Sequence, residues 1–165
     1  MRGRRVRRAV PRTRAPPGGS ERSSLRGDRN RGEPGGGSIL TAESYSFWLV
    51  PEEPVERELA TLVRALAPVF GMPAFPPHAT VQGDLDLAAD DAEMLARELV
   101  EGGAPLAWRA WGIQWTEHPF RTFFVAFDRA DRFNALRERS AKLTGSREGL
   151  SPFPHLSLAY GTLPV

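Results

Sequence analysis

Two short segments carry the side chains best suited to chemistry, Pro77-His-Ala-Thr80 and Pro154-His-Leu-Ser157. Each places an imidazole directly after a proline and a hydroxyl two residues after the imidazole. Strand side chains alternate faces, so His78 with Thr80, and His155 with Ser157, are expected to point the same way. Ala79 and Val81, and Leu156 and Leu158, then supply an apolar opposite face. An imidazole titrates near neutrality and can give or take a proton, while a hydroxyl donates a hydrogen bond to an anionic oxygen. Two of each around one anionic group would supply an acid, a base and two donors.

The two segments stand in one register. The separation of His78 from His155 is also that of Thr80 from Ser157 and of Pro77 from Pro154. The same spacing, without a gap, aligns Phe47 with Phe124, Leu59 with Leu136 and Leu66 with Leu143. Strand, helix and motif thus recur together, the pattern of an internal duplication. If the two halves face each other, both motifs converge on one cleft.

The elements that must position them are legible in order. Ser44 to Val50 is rich in strand formers and Pro51 stops it. Pro54 suits the first turn of a helix with Glu56 and Glu58 near its positive end and an apolar stripe of Leu59, Leu62, Val63 and Leu66. Met72 to Pro77 forces extended backbone ahead of His78, and Gln82-Gly-Asp84 is expected to end the second strand. A helix is predicted over 89–101, closed by Gly102 and Gly103. Leu106 to Trp115 and Arg121 to Asp128 read as a hairpin joined by Thr116-Glu-His-Pro119. Residues 129–144 read as a helix with Phe133, Leu136 and Leu143 inward and Arg137 and Arg139 outward. The motif strand follows Gly145 and Gly149.

Composition narrows the chemistry. The 41% hydrophobic content is ordinary for a globular chain, and 165 residues suit one domain or two small intimate lobes. Residues 1–40 carry 11 Arg against Glu21, Asp28 and Glu33, a net +8, while residues 41–165 carry 11 basic and 17 acidic side chains, a net −6. The arginine-, glycine- and proline-rich residues 1–40 are expected to form a tail without regular structure. It reads as a basic arm for nucleic acid, a solvated tail, a transit segment or translated upstream sequence. With no cysteine, a thiolate nucleophile or metal ligand is excluded. Metal-independent chemistry without a cofactor is expected, since no two of the three histidines share a helical face. Asp84 and Asp86 read as turn and cap residues rather than a cation site. No apolar run approaches the roughly 18 residues of a membrane span, so a cytoplasmic monomer is the expectation.

The paired His-x-Thr/Ser motifs, His78-Ala-Thr-Val81 and His155-Leu-Ser-Leu158, resemble those of the two-histidine phosphoesterase superfamily. Tyr45-Ser-Phe-Trp-Leu-Val-Pro51, Phe75-Pro-Pro-His-Ala-Thr-Val81, Phe123-Phe-Val-Ala-Phe127 and Pro154-His-Leu-Ser-Leu-Ala-Tyr-Gly161 are similar to its cyclic phosphodiesterase-like branch. The resemblance covers about residues 43–163, within a domain taken as 41–165. It implies an α+β, duplicated two-lobed fold, with antiparallel sheets, helices outside and a central cleft. Family members continue past the second motif with a further helix and strands. The lobe holding residues 44–50 and 77–82 is therefore expected to lack its C-terminal part and to keep only two strands.

By the same resemblance, the activity is hydrolysis of a small nucleotide-derived cyclic phosphate, a nucleoside 2′,3′-cyclic phosphate or ADP-ribose 1″,2″-cyclic phosphate. One of His78 and His155 would activate water and the other protonate the leaving oxygen, with Thr80 and Ser157 bonded to the phosphate. Tyr160 would help hold the phosphate or is a sheet aromatic. Trp48 would line the cleft or pack in the core, and Arg121 would reach the phosphate or lie in solvent. His118 reads as a solvated loop residue. The alternatives are an enzyme acting on RNA ends, as a 2′,3′-cyclic phosphodiesterase or a 2′-5′ RNA ligase-like protein, and a non-catalytic nucleotide- or RNA-binding remnant.

Overall fold

Aromatic and branched side chains suit a pleated, half-buried surface, and the segments rich in them form the inner strands of two small sheets. The computed structural model describes residues 2–3, 5–7, 43–128 and 131–161. In chain order the elements are β1 (Arg2–Gly3), β2 (Arg5–Arg7), β3 (Glu43–Val50), α1 (Val55–Leu66), β4 (Ala79–Leu87) and α2 (Ala89–Val100). Then come β5 (Leu106–Ala107), β6 (Ala110–Trp115), β7 (Phe123–Phe127), α3 (Asp131–Thr144) and β8 (His155–Ala159). The architecture is α+β. Two open three-stranded sheets have the orders β2-β3-β4 and β6-β7-β8, β1 pairs with β5, and every pairing is antiparallel.

The helices cross between the sheets. Val63 of α1 packs with Phe127, Leu156 and Leu158 of the β6-β7-β8 sheet, with Leu59 and Leu66 at its margin. Phe133 of α3 and Ala92, Ala96 and Leu99 of α2 pack with Phe47, Val81 and Leu85 of the other sheet. The helix that follows β3 thus covers the sheet carrying His155, and the helix that follows β7 covers the sheet next to His78. Each fully buried large apolar side chain contributes about 1.5–3 kcal/mol, so each sheet depends on a helix from the other half of the chain.

Several details depart from the sequence pattern. Leu62 is 40% exposed, because at about 100° per residue it lies some 60° from Leu59, at the edge of the stripe centred on Leu59, Val63 and Leu66. Arg137 and Arg139, expected outward, are half-buried, and Arg139 donates to the Glu101 carbonyl just past α2. The strand expected over 106–115 breaks at Trp108. Its ring sits 5.1 Å from Phe127 and 5.7 Å from Phe133, against both apolar clusters. The hairpin connection is held by Thr116 Oγ1 donating to Arg121 O (2.7 Å) and by Thr122 Oγ1 donating to Gly161 O.

β4 does not stop at Asp84 but runs to Leu87, carrying two extra residues relative to β3. Tyr45 faces Leu85, Phe47 faces Gln82, and Trp48 faces Thr80. One bulge coincides with the positive φ of Asp84 (56°), and the other places Val81 between two paired positions. β8 has its bulge at Leu158, since Phe123 faces Ala159 and Phe124 faces Ser157. Val81 and Leu158 are matched positions at the spacing of the two histidines, so each strand is kinked just after its hydroxyl residue. A bulge bends the strand and re-aims the side chains around it.

The N-terminal segment departs most from expectation. Arg5–Arg7 adds a strand beside β3, with Arg7 the register partner of Trp48, so this sheet has three strands where two were expected. Arg2–Gly3 pairs with β5, and the other residues of the tail expected over 1–40 lie outside the described residues. Among the described residues, no helix is long and apolar enough to cross a membrane.

Candidate functional site

Proline governs the approach to each imidazole. A residue before proline avoids the helical region, so Pro76-Pro77 and Pro154 deliver extended backbone to His78, just before β4, and to His155, at the start of β8. Both imidazoles are buried. His78 Nδ1 lies 2.7 Å from Pro76 O, and His155 Nδ1 lies 3.0 Å from Phe153 O. A carbonyl only accepts, so Nδ1 carries the proton of the neutral ring in both histidines. The two acceptors, at 76 and 153, repeat the spacing of the histidines themselves.

The surroundings differ. Trp48 stacks face to face on His78, with ring centroids 3.7 Å apart and 16° between planes; Phe75 meets the same ring edge-on at 6.0 Å. Phe124 lies edge-on to His155 at 5.5 Å and Phe153 tilts against it at 5.0 Å. Burial pushes the His155 pKa below its ordinary 6.5; the bond to the Phe153 carbonyl opposes this, and the positive charges of Arg121 and His118 lower it further. The His155 ring is therefore neutral at pH 7. Ser151 Oγ lies 3.5 Å from its Nδ1.

The remaining candidates have their own surroundings. Ser157 is buried and its Oγ donates to the Phe120 carbonyl at 3.2 Å, so its proton must turn away from that carbonyl to serve an anion. Thr80 is half-buried opposite Trp48. Tyr160 lies just past β8, stacked on Phe75 at 4.3 Å and edge-on to Phe120 at 6.1 Å. Arg121 is half-buried with its guanidinium 5.7 Å from the Phe153 ring centroid. His118 is exposed, and its Nδ1 accepts the Phe120 amide at 3.2 Å.

A continuous path of contacts joins the motifs, from Trp48 to His78, Phe75, Tyr160 and Phe120, whose carbonyl holds Ser157. Phe120 and Phe153 escaped the sequence pattern. Of the local features, only the carbonyls at 76 and 153 carried a signal, in their common offset. A cavity of about 470 Å³ opens elsewhere, between α1 and the apolar face of β7 and β8, with Val55, Leu59, Val125 and Leu156 in its wall and no motif imidazole or hydroxyl. Among the described residues, no group of three His, Cys, Asp or Glu side chains is placed to hold a metal ion.

No protein-family model matches this chain, and no curated protein matches it.

Proposed function

We propose that the protein hydrolyses a cyclic phosphodiester by acid–base catalysis between His155 and His78, with no step that requires a metal. In this reading the halves are duplicated lobes, and their motif strands line one cleft. The observation that carries it is the common mounting of the two imidazoles, each with Nδ1 bonded to the carbonyl two residues upstream. The matched bulges at Val81 and Leu158 and the crossed helices support the lobed arrangement.

The depressed pKa supports His155 as the base. Neutral His155 takes a proton from water through Nε2 as the water oxygen bonds to phosphorus. The ring face of Trp48 attracts a cation held against it, which suits His78 as the member that carries the proton. As the bond from phosphorus to the ribose oxygen breaks, Nε2–H of His78 protonates that oxygen. The products are a phosphomonoester and a hydroxyl, and the two rings return to their starting states through solvent. Thr80 and Ser157 donate to the non-bridging oxygens, where charge grows in the transition state. Arg121 adds positive charge on the same side.

The substrates proposed are nucleoside 2′,3′-cyclic phosphates and ADP-ribose 1″,2″-cyclic phosphate. They are assayed together with short RNA ending in a 2′,3′-cyclic phosphate, with and without chelator. Turnover of the small substrates, unchanged by chelator, is the expected result. Hydrolysis of none, or loss of activity with chelator, overturns the proposal.

A second reading, binding of RNA without turnover, is favoured by one observation: the arginine-rich segment enters the sheet beside Trp48, with Arg7 in register opposite it. RNA affinity that falls steeply with salt, in a chain that hydrolyses nothing, would select it.

A further inference from the structure

We infer that Gln82 is a positioning residue that sets the second motif against the first; this rests on the proposal that both histidines act on one group. Gln82 is fully buried, a costly location for an amide unless every hydrogen-bonding site is met. Here all are met. Its Nε2 donates to the carbonyls of Ser146 (3.0 Å) and Glu148 (2.8 Å), and its Oε1 accepts from Ser140 Oγ (2.6 Å), with Thr144 Oγ1, whose single proton also reaches the Ser140 and Ser146 carbonyls, at 3.3 Å. Because two carbonyls only accept, the amide has one possible orientation.

The placement turns these bonds into a link between motifs. Gln82 is two residues beyond Thr80, and the loop it grips, 146–148, leads directly to the second motif. From there Gly149 O accepts the Gly83 amide at 2.9 Å and the Ser151 amide donates to Val81 O at 3.0 Å, with Ser151 Oγ against His155. The position that matches Gln82 in the second half, at the spacing of the two histidines, is Ala159, equally buried but with a side chain that makes no hydrogen bond. An apolar side chain therefore suffices where only packing is needed. Arg147 also braces this loop through Glu138, at 2.7 and 2.8 Å, but that pair is exposed and screened.

The test uses the full chain and inorganic phosphate as probe, with the two imidazole signals followed by NMR and amide exchange measured at Gly83 and Ser151. In the wild type, phosphate is expected to shift the His78 and His155 signals together. Gln82→Met keeps the bulk without the bonds, and Gln82→Glu keeps the bonds from Ser140 and Thr144 but turns a carboxylate on two carbonyls. Both should weaken phosphate about tenfold or more, the equivalent of one or two hydrogen bonds. Exchange at Gly83 and Ser151 should quicken while the β6–β7 amides stay protected, and Glu138→Gln should change neither readout. If either Gln82 variant fails to fold, Ser140→Ala removes one donor and should give the same pattern in weaker form.

Wild-type phosphate affinity with unaltered histidine shifts in a folded variant overturns the inference. So does unchanged exchange at Gly83 and Ser151. A wild type that does not respond to phosphate at either histidine sinks the proposed function instead, and the exchange data still decide whether Gln82 holds the loop.

Discussion

Ahead of β4, the His78 ring lies face to face with Trp48, whereas at the start of β8 the His155 ring is hemmed by Phe124 and Phe153 with Arg121 and His118 acting on it by charge. The bond that fixes the tautomer is the same in both, because it is made by local backbone two residues upstream. What differs comes from other elements: β3 brings Trp48, while the hairpin connection brings Arg121 and His118. The same local motif can therefore be set to opposite tasks by its neighbours. In the proposed reaction this contrast suits His78 to carry the proton and His155 to accept one.

Removing either ring breaks the comparison most completely. His78→Ala and His155→Ala should each lower turnover by about 10² to 10⁴, the range for lost proton transfer, measured on whichever cyclic phosphate proves best. The double variant should fall well short of the product, because groups acting on one transition state are not additive. His118→Ala should retain most activity; a large loss there with near-normal His78→Ala would mean the wrong imidazoles are paired.

Next in size is the crossing that holds the two motif strands together. Gly149 has φ of +68°, and a Cβ there would lie 1.8 Å from the Gly83 carbonyl oxygen. Gly149→Ala should cost at least the roughly 1–3 kcal/mol of a residue forced into a sparsely populated conformation, read in denaturant unfolding. Gly145, equally left-handed but with nothing near its Cβ position, should lose less as Gly145→Ala.

Trp48→Leu sharpens the contrast between the rings. Removing a stacked face should cost His78 a cation–π attraction of about 0.5–2 kcal/mol, so the alkaline limb of the pH–rate profile should move to lower pH while the acid limb stays. An unmoved alkaline limb would count against His78 as the acid.

The smallest effects concern charge around His155. Its folded pKa is lowered chiefly by burial, and then by Arg121 and His118. Between that folded pKa and the unfolded value near 6.5, the unfolded chain binds more protons. Stability from keeping the ring neutral is thus complete above pH about 6.5 and is lost as pH falls toward the folded pKa. His155→Gln should flatten this part of a stability-against-pH curve. Arg121→Gln removes a like charge, so the acid limb of activity should shift upward, by less than burial itself contributes.

Much of this arrangement could be read from the chain alone, for reasons that are local. The proline before each histidine, the alternation that placed Leu156 and Leu158 in the core, and the apolar repeats of the helices act within a few residues. Their periodicity therefore survives in the sequence. His78, Thr80, His155 and Ser157 were legible because the pattern occurs twice in one register. Phe120 and Phe153 were not, since each enters from a connecting segment with no counterpart at that spacing.

The sequence by itself determined the order and identity of the strands and helices from residue 43 onward and the common spacing of the two motifs. Tertiary structure alone decided which helix covers which sheet and where the strands kink. It also decided that Arg5–Arg7 pairs beside Trp48, and that Gln82 is a buried hub where an apolar residue would serve for packing alone. The physical reason is range. Hydrogen bonds to a carbonyl two residues away depend on local conformation, whereas burial, ring stacking and charge at an imidazole depend on segments tens of residues distant, which folding alone brings into contact.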